Sequence, residues 1–100
     1  MSILQRFHMH GSVAIVTGSG RGIGRAIALA YAEAGADVVC SARSMDEVEA
    51  VAEEVRGLGR RALAIACDVN DAGQRQALVR QSVEHMGRLT HLVNLSLIHI

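Results

Sequence analysis

Four glycines stand at alternate positions, 18, 20, 22 and 24, directly after the almost wholly apolar run Val13-Ala-Ile-Val-Thr17. A short apolar run without polar alternation is the pattern of a strand covered on both faces, as in a parallel sheet. The residues that follow the glycines, Arg25 to Ala34, are rich in helix formers and stop at Gly35, placed to take the left-handed conformation just past a helix end. Strand, glycine turn and helix in that order make a crossover connection, the only kind that joins parallel neighbours.

The same alternation repeats. Asp37-Val-Val-Cys-Ser41 reads as a second strand. Ser44-Met-Asp-Glu47 has the spacing of a capping box, and Val48, Val51, Ala52 and Val55 then share one helical face before Gly57 and Gly59. Arg61 to Cys67 reads as a third strand. Asp68-Val-Asn-Asp71 leads into a helix carrying Leu78, Val79, Ser82, Val83 and Met86, which stops at Gly87, and Leu92-Val-Asn94 opens a fourth strand. The expected architecture is α/β: half of a doubly wound parallel sheet with strand order 3-2-1-4. Residues 1–12 read as a lead-in and 13–94 as the half-domain.

A core for this sheet must be aliphatic, since 15 Ala, 11 Val, 9 Leu and 7 Ile stand against one Phe and one Tyr. Ten basic and ten acidic residues cancel without any block of one sign, which argues against nucleic acid or an anionic membrane as partner. No apolar run approaches the ~18 residues that span a bilayer, and MSILQRFHMH lacks the parts of a signal peptide. Two cysteines, Cys40 and Cys67, fit a reduced cytoplasmic setting and buried, inert thiols.

The glycine turn lies where backbone N–H groups and a helix dipole converge on an anion. Glycine serves there wherever φ is positive or a side chain would block a pyrophosphate. The spacing excludes two alternatives. A P-loop would continue Gly-Lys-Ser/Thr, but Arg25 follows Gly24; and G-x-G-x-x-G started at Gly18 would need glycine where Ile23 stands.

The pattern that fits, T-G-x-x-x-G-x-G over Thr17-Gly-Ser-Gly-Arg-Gly-Ile-Gly24, resembles the short-chain dehydrogenase/reductase family, whose cofactor domain is a Rossmann fold. The resemblance runs from Gly11 to Asn94: Asp68-Val69 is similar to the family's adenine-binding pair, and Leu92-Val-Asn94 to the opening of its Leu-Val-Asn-Asn-Ala-Gly segment. It implies Gly18, Ser19, Arg21, Gly22, Ile23 and Gly24 around pyrophosphate and ribose, Asp68 and Val69 at adenine, and Asn94 supporting the site. NAD sites place a carboxylate at the end of the second strand. Here Ala42 stands there, followed by Arg43, and a guanidinium suits a 2′-phosphate. Arg43 with Arg21 therefore implies NADP(H) in preference to NAD(H).

The family's chemistry needs a Ser and a Tyr-x-x-x-Lys, in which the tyrosine is the acid/base and the lysine lowers its pKa. The single tyrosine, Tyr31, has Gly35 four residues on, and the chain contains no lysine. No catalytic residue is therefore assigned. The expectation is a fragment of an NADP(H)-dependent oxidoreductase that moves a hydride between nicotinamide and a ketone or secondary alcohol. Its full-length parent would be cytoplasmic and homo-oligomeric, and the fragment alone inactive. A short nucleotide-binding module without catalysis, or a fragment that pairs through its bare sheet edge, is the alternative. His8 and His10 lack further ligands at metal-site spacing, so no metal is assigned. Leu95-Ser-Leu-Ile-His-Ile100 departs from the family pattern and resembles a translated transposase mosaic-end sequencing adapter, which makes 95–100 an expected non-native tail.

Overall fold

Val13–Thr17 forms β1 and is buried throughout, as its almost wholly apolar run implies. The computed structural model describes residues 11–93. Asn94, His8, His10 and the Leu95–Ile100 segment lie outside the described residues. The remaining elements are α1 (Gly22–Glu33), β2 (Asp37–Ala42), α2 (Met45–Gly57), β3 (Ala62–Ala66), α3 (Ala72–Met86) and β4 (His91–Val93).

All pairings are parallel and the order is β3-β2-β1-β4, the half-sheet read from the alternation. Side chains alternate across it. Val16, Val38 and Cys40 meet Ala28, Ala32, Val48, Val51, Ala52 and Val55 in the layer under α1 and α2. Val13, Ile15 and Val39 meet Leu78 and Met86 of α3 on the other face. The Val48, Val51, Ala52 and Val55 stripe is fully inside, because 3.6-residue periodicity brings those positions to one side of α2.

Several boundaries differ from the sequence-based expectation. α1 starts at Gly22 rather than Arg25, because the last two loop glycines form its first turn despite their poor helix propensity. β3 is shorter by a residue at each end and only partly covered, since it forms one edge of the sheet. Val79 and Val83 do not join Leu78, Ser82 and Met86 in the core; both are exposed on the flank of α3. β4 begins one residue early, at His91, and pairs with β1. Among the described residues, no helix is long and apolar enough to cross a membrane.

Candidate functional site

The C-terminal ends of β1, β2 and β3 carry the candidate site. At the end of β1 the backbone must leave a buried strand and enter α1 within a few residues. Gly18 and Gly22 do this with φ of 68° and 60°, a region that side chains disfavour. Gly24 has a different reason: a Cβ there would stand 1.9 Å from the Gly18 carbonyl oxygen. The helix start is thus pressed against the loop that precedes it, and only glycine allows that approach.

Ser19 is wholly buried and faces inward. Its Oγ accepts the Ser41 N–H at 2.9 Å, and its own N–H donates to the Ser41 carbonyl at 3.1 Å. The hydroxyl therefore staples the loop to β2. α2 and α3 are capped by Ser44 and Asp71, whose side chains accept from Glu47 N and Gln74 N, whereas α1 has no side-chain cap and no acidic residue in its first turn. Its positive end is left without a carboxylate of its own. Ile23, in that first turn, is 75% exposed, unusual for a large aliphatic side chain beside a polar loop.

The flanks of the loop are charged. Arg43, just past β2, is 74% exposed and donates from Nη2 to Asp68 Oδ1 at 3.4 Å, so the structure brings these two together across the ends of β2 and β3. Asp68 Oδ1 also accepts the Asn70 N–H at 3.0 Å. That backbone bond first, and then the Arg43 charge, outweigh desolvation and hold the Asp68 carboxyl below its ordinary pKa. Val69 is partly buried against the α3-side core, so its backbone position is held from below. Arg21, within the loop, has its Nε 3.9 Å from Glu47 Oε2.

Two residues here were not singled out from the sequence. Gln74 Oε1 accepts the Asp68 N–H at 2.7 Å while Gln74 N donates to Asp71 Oδ1 at 3.1 Å, which ties the 68–71 loop to α3. Asp71-Ala-Gly-Gln74 has capping-box spacing, a signal available in the sequence. Glu47 reads from the sequence only as a cap partner, and its approach to the glycine loop depends on how α2 packs. The thiols stay out of the chemistry: burial pushes Cys40 up to about 11 and raises Cys67 as well, and both are inside the fold.

A strand, a glycine turn closed by steric necessity and an uncapped helix start make a geometry suited to an anion such as a phosphate. Comparison with known proteins agrees with that geometry. The family model described as short chain dehydrogenase matches residues 12–96. An uncharacterised oxidoreductase of Mycobacterium tuberculosis is 46% identical over 92 residues, covering 92% of this chain and 35% of the relative. Versicolorin reductase of Emericella nidulans is 43% identical over 90 residues, covering 89% and 34%. Among solved structures, a hydroxysteroid dehydrogenase from Escherichia coli superposes with TM-score 0.86 at 37% identity, covering 90% of this chain and 37% of that one. A 7α-hydroxysteroid dehydrogenase in complex with NADH and 7-oxo glycochenodeoxycholic acid gives TM-score 0.86 at 36% identity, covering 94% and 37%. The chain spans about a third of the length of the curated relatives it matches. With its glycine turn, its strand order and these matches in agreement, the chain belongs to the short-chain dehydrogenase family.

Proposed function

We propose that this chain is the cofactor-binding third of an NADP(H)-dependent oxidoreductase that interconverts a ketone and a secondary alcohol. The observation that carries the reading is the cradle at Gly24, where the helix start approaches the loop too closely for any side chain. Gly18, Gly22 and Gly24 shape the turn, and Ser19 holds it against β2. The exposed Ile23 side chain would cover one side of the bound dinucleotide, replacing water with apolar contact. Asp68, kept ionised by Asn70 and Arg43, would accept from the adenine amino group, with Val69 against the ring. Asn94 would support the cofactor site. When bound, the nicotinamide supplies or accepts the hydride.

The preference for NADP(H) rests on Ala42, which offers no carboxylate to the ribose, and on the exposed guanidinium groups of Arg43 and Arg21. The 7α-hydroxysteroid dehydrogenase complex holds NADH, so the fold itself does not require a 2′-phosphate, and the preference proposed for this chain rests on its own side chains. The proton-transfer residues and the substrate pocket belong to the remaining two-thirds of the enzyme. By itself the chain is then inactive and binds NADP(H) weakly, and the whole enzyme is a cytoplasmic homo-oligomer.

The test is the full-length gene product assayed for carbonyl reduction with each cofactor. NADPH should support the faster reaction, and Arg43→Ala should lower kcat/KM for NADPH by about tenfold or more while leaving that for NADH nearly unchanged. Equal losses with both cofactors would remove Arg43 from the 2′-phosphate site. Failure to bind either dinucleotide would end the enzyme reading.

A further inference from the structure

Gly20 is the one glycine of the loop that neither a positive φ nor the strand–helix contact requires. Its reason is a neighbour from another element. A Cβ at position 20 would lie 2.9 Å from Glu47 Cβ and 2.9 Å from Glu47 Oε2. Glu47 is held there because Ser44 Oγ accepts the Glu47 N–H at 3.3 Å and fixes the first turn of α2. Its carboxylate then rests against the glycine loop, with Oε2 3.9 Å from the Arg21 guanidinium.

We propose that Glu47 is a specificity-determining residue that works against the cofactor's 2′-phosphate, with Gly20 providing the space that lets it do so. The proposal deepens the proposed function and rests on its placement of Arg21 beside that phosphate. Arg21 is 89% exposed and has Glu47 as its ion-pair partner. A 2′-phosphate reaching Arg21 meets a carboxylate already there. It must compete with Glu47 for the guanidinium, and it is also repelled by the carboxylate's charge. Both effects weaken binding of NADP(H). Neither acts on NAD(H), which presents a neutral hydroxyl at that position. Because the two effects have the same sign, the direction of the outcome does not depend on their relative size. Glu47 thus tempers a preference that Arg21 and Arg43 would otherwise make stronger.

The experiment is fluorescence titration of the full-length enzyme with NADPH and with NADH, for the wild type, Glu47→Gln and Glu47→Ala. The readout is the ratio of the two affinities, so a general loss of folded protein cancels. Both substitutions should shift the ratio toward NADPH by about two- to fivefold at low ionic strength, the size expected of an exposed ion pair. In roughly 0.5 M salt the shift should shrink, since the charges are then screened. An unchanged ratio, or one moved toward NADH, would overturn the proposal. An enzyme that binds neither dinucleotide would overturn both the site and the proposal. A wild type that prefers NADH would overturn only the NADP(H) preference, and the direction of the Glu47 shift would still decide the role of Glu47.

Discussion

At the scale of single residues, the family glycines divide by cause, positive φ at Gly18 and Gly22 and close approach at Gly24. A Cβ on Gly22 would meet nothing within 4 Å, and the residue's φ is +60°. A Cβ on Gly24 would meet the Gly18 carbonyl oxygen at 1.9 Å, and that obstacle is backbone that cannot rotate away. Gly22→Ala should therefore cost about 1–2 kcal/mol, the penalty for a side chain in the left-handed region. Gly24→Ala should cost on the order of 3 kcal/mol or open the turn. Urea denaturation of the two variants side by side checks the order, and a smaller loss at Gly24 than at Gly22 would show that the helix start yields easily. Glycine spacing is visible in the sequence, but which glycine serves conformation and which serves contact is not.

At the scale of elements, Asp37 joins the start of β2 to the start of β3. Its Oδ1 accepts from the Arg61 N–H at 2.9 Å and from Arg60 Nη2 at 3.3 Å, and its Oδ2 from Arg61 Nε at 3.2 Å. Burial alone would raise its carboxyl pKa, but the Arg61 hydrogen bonds and the two arginine charges outweigh it and hold the group below its ordinary 3.8. A carboxyl lowered in the folded state is the weaker proton acceptor there. Its stabilisation is complete above the ordinary value and is lost as pH falls through that value to the folded one. Asp37→Asn should lower stability by about 1–3 kcal/mol at neutral pH. The difference from wild type should narrow as pH falls below the ordinary 3.8, as the folded-state carboxyl takes up its proton. Denaturation curves across pH would show it, and a gap that persists in acid would mean that the ion pairs contribute little. The helix ends follow local rules: Gly87 closes α3 with φ of 84°, as its position after Met86 implies. The outward turn of Val79 and Val83 does not follow from periodicity, because it depends on which neighbours cover α3.

At the scale of the whole molecule, the half-sheet has two edges, β3 and β4. β4 pairs with β1 on one side, and its Leu92 is 57% exposed. An apolar edge strand of this kind is a template for another chain. The isolated polypeptide should self-associate at micromolar concentration, and Leu92→Lys should suppress this in sedimentation velocity. A strictly monomeric wild type would show that the edge is already protected. Calorimetry on the same isolated chain should show weak or undetectable NADPH binding if, as proposed, the rest of the cofactor site lies outside these residues. Tight stoichiometric binding would place the whole affinity in these residues.

The alternation of strands and helices, the parallel order 3-2-1-4 and the position of the glycine turn were all legible in the order of residues. Each follows from local causes: an apolar run that needs two covered faces, crossovers that allow only parallel pairing, and glycines where the chain must turn. The inclusion of Gly22–Gly24 in α1 was hidden, since glycine is a poor helix former and the turn is held by packing. The pairing of Arg43 with Asp68, the tie from Gln74 to the same loop, and the approach of Glu47 to Gly20 came only with the folded arrangement. These contacts join residues on different crossovers, and their distances depend on how the sheet registers and how the helices seat on it.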